Sequence, residues 1–196
     1  LISYEENLQA YLDATPSEVK GDFKKIIDST LELIPKESAI LELGSGTGRD
    51  ADYIDSLGYK VTRTDAADSF IAYQKTKGKK INKLNLLNFS LSKNYDLIFA
   101  NAVLLHFTKH EFITILTQLK KHLNLNGYLV FSVKKGQDEK WSSHKLNAKR
   151  FYKLWSQKEM NTILNSLNFE IITTSELQNG KWLFFIAQPK YESSNI

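Results

Sequence analysis

Apolar and polar residues alternate with two different periods along the chain from residue 38 onward. Short apolar-rich runs at 39–44, 59–65, 81–85, 95–102 and 127–134 predict five strands. Stretches with apolar residues at helical spacing lie at 49–57, 68–77, 109–123 and 157–167. Strands that alternate with helices are typical of a parallel sheet covered by helices on both faces, so we expect an α/β fold.

The two ends of the chain depart from this alternation. Two apolar runs, 169–176 and 182–188, flank a loop around Asn179-Gly180, which predicts an antiparallel hairpin. Near the N-terminus, Thr15-Pro16-Ser17 predicts the start of an amphipathic helix that extends to residue 34, after a shorter acid-rich helix. We expect a single domain over 1–196, with a helical flank at 1–37, a core at 38–190 and a tail at 191–196.

The first strand runs directly into three alternating glycines, Gly44, Gly46 and Gly48. Glycine adopts positive φ readily and, without a Cβ, lets a ligand approach the backbone, while the next helix directs its amides at that ligand. A dinucleotide fingerprint needs its third glycine at the sixth position, which is Arg49 here. Glu42, two residues before the first glycine, would also repel a pyrophosphate. Both features point away from a nicotinamide dehydrogenase.

A second acidic residue, Asp65, ends the second predicted strand. Ribose-binding sites place Asp or Glu about 20 residues after the glycine turn, because a carboxylate accepts hydrogen bonds from both ribose hydroxyls. The alternative is that Asp65 only caps the following helix. Its distance from the glycines favours the ribose role.

The segment Glu42-Leu43-Gly44-Ser45-Gly46-Thr47-Gly48 resembles motif I of the class I S-adenosylmethionine-dependent methyltransferases. The resemblance implies a Rossmann-like, seven-stranded, mostly parallel sheet in the order 3-2-1-4-5-7-6. It implies S-adenosylmethionine as cofactor and S-adenosylhomocysteine as product, with Glu42 near the cofactor ammonium. The cofactor-binding residues expected from it are Glu42, Gly44, Ser45, Gly46, Gly48, Asp50, Asp65, Ala66, Asn85, Leu86, Leu87, Asn101 and Ala102. Asn85 stands where the family often has an acid that binds the adenine amine, so the backbone amides of Leu86 and Leu87 are the alternative adenine contacts.

Later segments resemble the bacterial small-molecule branch that includes tellurite-resistance enzymes. They are the stretch from Asn101 to His106, Lys135-Gly136, Arg150-Phe151-Tyr152 and the capping box Ser156–Glu159. By this resemblance His106 and Tyr152 are candidate catalytic residues, and the N-terminal flank is a candidate lid. The candidate substrate contacts are Tyr4, Tyr11, His106, His144, Arg150 and Tyr152. His144, Lys149, Arg150 and Tyr152 suit an acidic or oxyanionic substrate, with a solvated basic surface as the alternative. For His106 the alternative is a histidine at a helix start that only packs against Leu105 and Phe107.

Composition narrows the chemistry. The chain has 196 residues, 42% hydrophobic and 12% aromatic, which is enough for one core. It has no cysteine, which excludes disulfides, iron–sulfur clusters, radical chemistry with this cofactor and cysteine-dependent pyrimidine methylation. The Asn-Pro-Pro-Tyr motif of enzymes that methylate exocyclic base amines is absent after the fourth strand. No metal is expected.

The charge and the apolar runs bear on partners and location. The net charge of +4 and a pI near 9.0 allow an anionic partner without requiring one. Lys75, Lys77, Lys79 and Lys80 cluster at a helix end, as a solvated face or a nucleic-acid contact. No apolar run reaches the ~20 residues of a membrane span, and the first residues lack a signal-peptide pattern, so a cytoplasmic location is expected. The expected oligomeric state is a monomer or a weak dimer.

The sequence therefore predicts an enzyme that transfers a methyl group in line to an oxygen, nitrogen, sulfur or chalcogen atom of a small molecule. Two alternatives are an RNA methyltransferase, given the basic residues interleaved with aromatics after residue 140, and a non-catalytic methyltransferase-like binding module.

Overall fold

A computed structural model describes residues 2–144, 146 and 148–191 of the chain. Apart from its first residue, the predicted tail at 191–196 lies outside these residues, as do Lys145 and Asn147 of the basic segment. In the described part, no helix is both long enough and apolar enough to cross a bilayer.

The order of elements along the chain follows the predicted alternation. Three N-terminal helices, α1 (Ile2–Glu5), α2 (Leu8–Asp13) and α3 (Gly21–Leu31), precede β1 (Ile40–Glu42), α4 (Arg49–Ser56), β2 (Val61–Asp65), α5 (Asp68–Thr76), β3 (Ile81–Lys83) and β4 (Tyr95–Ala100). A 3-10 helix (Leu104–His106), α6 (Lys109–Lys120) and β5 (Leu123–Lys134) follow. The chain continues with β6 (Glu139–Ser142), β7 (Arg150–Lys153), α7 (Gln157–Ser166), β8 (Phe169–Leu177) and β9 (Trp182–Pro189).

Seven of these strands form one sheet in the order β3-β2-β1-β4-β5-β9-β8. β1 lies inside the sheet, with Ile40 opposite Val61 of β2 and Leu97 of β4, and the first five strands in this order are parallel. β9 joins β5 antiparallel and pairs with β8 as the predicted hairpin. The predicted fold class is therefore confirmed. The strand labels differ from 3-2-1-4-5-7-6 because β6 and β7, which form a separate two-stranded sheet, come between β5 and the hairpin.

Period-two alternation sends neighbouring residues of the sheet to opposite faces. Leu97 and Phe99 of β4 face the layer that holds α3 and α4, while Ile98 and Ala100 face the layer of α6 and α7. Both layers exclude water from the sheet, which explains why its strands are apolar on both faces.

Three predicted boundaries are wrong. α3 starts at Gly21 rather than at Ser17, because Lys20 before it has an extended backbone with φ −139° and ψ 165°, and Val19 is buried ahead of the helix. α6 ends at Lys120, and β5 already begins at Leu123, which pairs with Tyr95. No strand is predicted between residues 135 and 155, yet this segment contains β6 and β7, in which Trp141 pairs with Phe151.

The strands set the place of a ligand site. From β1 the chain proceeds to β2 and β3 on one side, and from β4 to β5 on the other. The loops that leave the carboxyl ends of β1 and β4 therefore diverge, and the crevice between them is where open parallel sheets bind ligands.

The core under α6 generates a stability prediction. Phe112 is fully buried and its ring packs on Phe131 and Trp155 at centroid distances of 5.9 and 4.6 Å. We expect Phe112→Ala to lower the free energy of unfolding by about 3–5 kcal/mol in urea denaturation, since the cavity cannot be refilled. Leu125→Ala, at a position that is 68% exposed, is the control and should change it by less than about 0.5 kcal/mol.

Candidate cofactor and acceptor site

The loop after β1 takes a backbone path that only glycine follows without strain. Gly44, Gly46 and Gly48 have φ angles of 62°, 53° and 81°. A Cβ on Gly44 would lie 2.5 Å from Cγ2 of Val103, so the glycine also permits close packing against the loop after β4. Gly48 is the N-cap of α4, and a Cβ there would meet Gln74 Oε1 at 2.9 Å. The predicted glycine turn is therefore a geometric necessity.

The Asp65 carboxylate connects the loop after β1 with the loop after β2. Its Oδ2 accepts a hydrogen bond from the Gly46 amide at 2.8 Å, and its Oδ1 accepts one from the Ala67 amide at 2.9 Å. Burial raises the pKa of Asp65, and these amides oppose that shift. A carboxylate has about four acceptor sites, so hydroxyl groups of a ligand can still bind it.

Two buried polar side chains, those of Gln74 and Arg63, support the glycine loop after β1. Gln74 of α5 donates to the Gly46 carbonyl at 3.0 Å and accepts from Arg63 Nη1 at 3.3 Å. Arg63 is 3% exposed and forms ion pairs with Asp52 and Asp55 of α4. The sequence did not predict this support by Gln74 and Arg63. The one indication of it was an arginine, Arg63, inside a buried strand.

A hydrogen-bond chain crosses from α4 to β5 on the other side of the glycine loop. Asp50 accepts from Arg49 and, at 2.7 Å, from Asn101 Nδ2. Ser132 Oγ donates to Asn101 Oδ1 at 2.7 Å and accepts from the amide of Ala102 at 2.8 Å. Ala102 has a φ of 58°, which is rare for a residue with a Cβ. These hydrogen bonds therefore stabilise a strained turn that follows β4.

Glu42 lies at the end of β1, is 3% exposed and accepts a hydrogen bond from Ser45. Burial first, and then the neighbouring Asp50, raise the pKa of Glu42 to about 8. Its carboxyl group is therefore largely protonated at pH 7 in the absence of a ligand. A cation placed beside it would favour the charged form.

Three cavities converge on this crevice. The glycine-loop cavity, of about 220 Å³, is lined by Glu42, Ser45, Asp50 and Asn101. The Asp65 cavity, of about 300 Å³, is lined by Asp65, Ala66, Asn85, Leu86 and Leu87, with Phe70 as an additional wall. The Arg150 cavity, of about 520 Å³, is lined by His106, His144, Arg150 and Tyr152. Tyr11 and Ala102 line all three.

Most residues predicted for the cofactor line the first two cavities. Gly44 and Gly46 line both, but Gly48 lines neither, because its α-carbon faces Gln74 and Arg63. The amide of Leu87 donates to Asn85 Oδ1 at 3.1 Å, so it is engaged within its own turn. The roles of the Leu86 and Leu87 amides as adenine contacts stay predictions, and for Leu87 the ligand would have to replace the Asn85 side chain at that amide.

His106 ends the 3-10 helix and forms hydrogen bonds at both ring nitrogens. Nδ1 lies 2.8 Å from the Phe151 carbonyl oxygen, which can only accept, so Nδ1 carries the proton. Nε2 lies 2.8 Å from the Tyr4 hydroxyl. Burial lowers the pKa of His106 to about 4, so the ring is neutral at pH 7 and Nε2 accepts from Tyr4.

Tyr152, the other predicted catalytic residue, lies beside His106 with ring centroids 4.9 Å apart. Burial raises the pKa of Tyr152 to about 12, so its hydroxyl stays protonated at neutral pH. Its position at the wall of the Arg150 cavity suits contact with a ligand better than proton exchange.

The N-terminal helices lie against both sides of the crevice. Glu5 of α1 accepts from the amides of Asp68 and Ser69 at the start of α5, at 2.6 and 2.8 Å. Ser3, on the same helix, donates to the Lys149 carbonyl before β7 at 2.7 Å. Tyr4 of α1 and Tyr11 of α2 line the cavities, and their roles as substrate contacts stay predictions. The movement of this segment as a lid stays a prediction.

Comparison with known proteins identifies the family. A protein-family model described as "Methyltransferase domain" matches residues 16–174 of this chain. The chain belongs to this methyltransferase family. The match confirms the methyltransferase family that the sequence predicted.

Individual relatives agree with that assignment. A probable S-adenosyl-L-methionine-dependent methyltransferase, TehB of Haemophilus influenzae, is 26% identical over 163 residues, which are 76% of this chain and 55% of the relative. The chain thus spans about half the length of this curated relative.

Solved structures share the fold. The CcbJ methyltransferase of Streptomyces caelestis has a TM-score of 0.76 at 14% identity, and the aligned part covers 96% of this chain and 98% of the other. A second is the 1,6-didemethyltoxoflavin-N1-methyltransferase of Burkholderia thailandensis, solved with 1,6-didemethyltoxoflavin and S-adenosylhomocysteine. It has a TM-score of 0.69 at 17% identity, and the aligned part covers 97% of this chain and 85% of the other.

The contact between Gly44 and Val103 generates a matched pair of variants. Gly44→Ala and Gly58→Ala both place a Cβ at positive φ, but Gly58 has no atom within 4 Å of that Cβ. Both should lose about 1–2 kcal/mol of unfolding free energy from backbone strain. Thermal or urea unfolding should show a further loss for Gly44→Ala alone, and Val103→Ala should recover part of it. Equal losses for the two glycines would contradict the close approach of the two loops.

The pKa of Glu42 generates a pH-dependence prediction. Its folded pKa of about 8 exceeds the unfolded value of 4.5, so its stabilising contribution is complete below pH 4.5 and is lost as the pH rises through 8. Glu42→Gln should therefore gain stability relative to the unsubstituted protein between pH 5 and 8, by at most about 1.4 kcal/mol per pH unit. Urea unfolding at stepped pH measures this, with Glu37→Gln at an exposed position as control. A stability difference that does not change with pH would contradict the buried neutral carboxyl.

Proposed function

We propose that this chain transfers the methyl group of S-adenosylmethionine to an oxygen, nitrogen, sulfur or chalcogen atom of a small molecule. The observation that carries the proposal is the convergence of three cavities at Tyr11 and Ala102. The cofactor has two arms, a nucleoside and an amino acid, that join at its sulfonium centre. Two cavities for the arms and a third for the acceptor, all open to one junction, match that shape.

The chemistry of the walls supports the assignment of each arm. Asp65, with unused acceptor sites, suits the ribose hydroxyls, and the half-buried Asn85 and the buried Leu86 and Phe70 suit an adenine ring. Glu42 and Asp50 supply acidic groups at the glycine-loop cavity, where the ammonium of the amino-acid arm would lie. That ammonium would draw Glu42 into its charged form.

The reaction asks the protein for alignment and exclusion of water. When bound, S-adenosylmethionine supplies an electrophilic methyl group: the acceptor lone pair forms the new bond, the carbon–sulfur electron pair returns to sulfur, and any acceptor proton leaves to a base. Tyr11 and Ala102 border the junction and limit the direction of approach. Tyr4, which lines both the Asp65 and the Arg150 cavities, closes the junction toward α1.

A proton path is available for acceptors that lose one. The Tyr4 hydroxyl donates to Nε2 of His106, so its oxygen presents lone pairs to the cavity. Tyr4 can take a proton there while passing its own to His106. The low pKa of His106 makes this pair a weak base, which suits acceptors that are already good nucleophiles at neutral pH.

The RNA alternative receives less support from the structure. Two lysines of the predicted basic cluster are engaged internally, since Lys79 forms an ion pair with Asp52 at 2.8 Å and Lys77 lies 4.4 Å from the centre of the Tyr73 ring. We therefore favour a small-molecule acceptor. A cytoplasmic location and a monomeric or weakly dimeric state remain predictions.

Calorimetric titration with S-adenosylhomocysteine tests the cofactor site. Asp65→Asn keeps the size of the side chain but removes a charged acceptor, so its affinity should fall about 10–100-fold. Asp68→Asn, three residues later with a side chain that is 67% exposed, is the matched control and should bind within about threefold of the original protein. Thermal melts establish that both variants fold.

Two outcomes would overturn the assignment of the site. One is failure of the folded protein to bind S-adenosylhomocysteine. The other is equal affinity for the Asp65 and Asp68 variants.

A further inference from the structure

The Arg150 cavity contains a buried positive charge without an acidic partner. Arg150 is 7% exposed, and no carboxylate among the described residues forms an ion pair with it. Within the described part of the chain, its Nε is buried with no hydrogen-bond partner, and its Nη1 forms a hydrogen bond only with the Tyr4 hydroxyl, at 3.4 Å. Buried guanidinium groups are normally paired, because their desolvation is costly.

Further positive charge faces the same cavity. Lys134, at the end of β5, and Lys140, on β6, line it together with His144. Burial, Lys140 and Arg150 lower the pKa of Lys134, which reflects how closely these cations are placed. Among the described residues, no Asp or Glu lines this cavity. Positively charged side chains that line a cavity without a neighbouring carboxylate attract an anionic ligand.

Aromatic rings form much of the remaining wall. Arg150 lies over the rings of Tyr152 and Tyr4, at 5.2 and 5.7 Å, and Lys134 lies 4.5 Å from the Tyr152 ring. Trp182 and Tyr11 line the cavity as well. Its volume of about 520 Å³ is typical of sites for organic ligands and far exceeds that of an inorganic oxyanion.

We propose that the methyl acceptor is an aromatic or otherwise unsaturated organic acid, whose carboxylate binds Arg150 and Lys134 and whose body packs against Tyr152 and Trp182. Arg150 and Lys134 line only this cavity, whereas Tyr11 and Ala102 border the junction with the other two. The carboxylate therefore anchors the molecule, and the methylated atom is a different group, nearer the junction.

The proposal rests on the proposed methyl transfer and can fail separately from it. Its test uses the protein saturated with S-adenosylhomocysteine and a panel of hydroxy-, amino- and mercapto-benzoates, each with its matching benzamide. Thermal shift and calorimetry measure binding, and inorganic selenite is a third arm. We expect at least one benzoate to raise the Tm and its uncharged benzamide to bind at least tenfold more weakly.

Variants connect that preference to the named side chains. Arg150→Met should weaken benzoate binding at least tenfold and leave the benzamide unchanged, while S-adenosylhomocysteine affinity stays within threefold. Because it removes a buried unpaired charge, Arg150→Met should not lower the Tm of the ligand-free protein. Lys134→Met should weaken benzoate binding in the same direction. Lys60→Met, at an exposed position before β2, is the control.

Several outcomes would overturn the proposal. They are equal binding of benzoates and benzamides, binding of selenite alone, binding by neither series, or benzoate affinity that survives Arg150→Met. Loss of S-adenosylhomocysteine binding by the original protein would instead overturn the proposed function.

Discussion

The hydrogen bonds of one carboxylate group hold the candidate site together. Asp65 joins the amide of Gly46, in the loop after β1, to the amide of Ala67, in the loop after β2. These loops leave neighbouring parallel strands, and the amide of Ser45, which donates to the Thr64 carbonyl at 2.8 Å, extends the strand pairing into the first loop. Gln74 then binds the Gly46 carbonyl, so both sides of the same peptide segment are held. A ligand that bridges the two loops meets a surface that is already in position, which reduces the entropic cost of binding.

The charges of the crevice are separated in space. Glu42, Asp50 and Asp65 line the two cavities assigned to the cofactor, where the cation Arg49 forms an ion pair with Asp50, and Lys134, Lys140 and Arg150 line the third. The net charge of +4 conceals this separation, because it sums acids and bases over the whole chain. A cofactor with an ammonium and an acceptor with a carboxylate would each meet complementary charge, and neither would bind well in the place of the other.

The sequence predicted the parts of the site that depend on local conformation. The glycine turn follows from backbone geometry, and Asp65 follows from its place at the end of a strand, so both are visible in the order of residues. Gln74, Ser132 and Arg63 were missed, because their roles arise from contacts between elements that are distant in sequence. The hydrogen bond from the Leu87 amide to Asn85 Oδ1 was not predicted either, although it spans only two residues.

Boundaries failed where tertiary contacts decide conformation. Pro16 is a sound local signal for a helix start, but the backbone is still extended at Lys20, so the helix begins at Gly21, with Val19 buried ahead of it. β6 and β7 are four residues each and carry no long apolar pattern, so only their mutual pairing reveals them. That pairing matters for function, because it carries Lys140 and Arg150 to the third cavity.

A crystal structure of the protein with S-adenosylhomocysteine tests the central claim most directly. The account predicts ribose hydroxyls within hydrogen-bond distance of the Asp65 carboxylate, the amino group near Glu42, and the sulfur atom facing the junction at Tyr11 and Ala102. A ligand whose sulfur points away from the Arg150 cavity, or whose ribose lies away from Asp65, would contradict it.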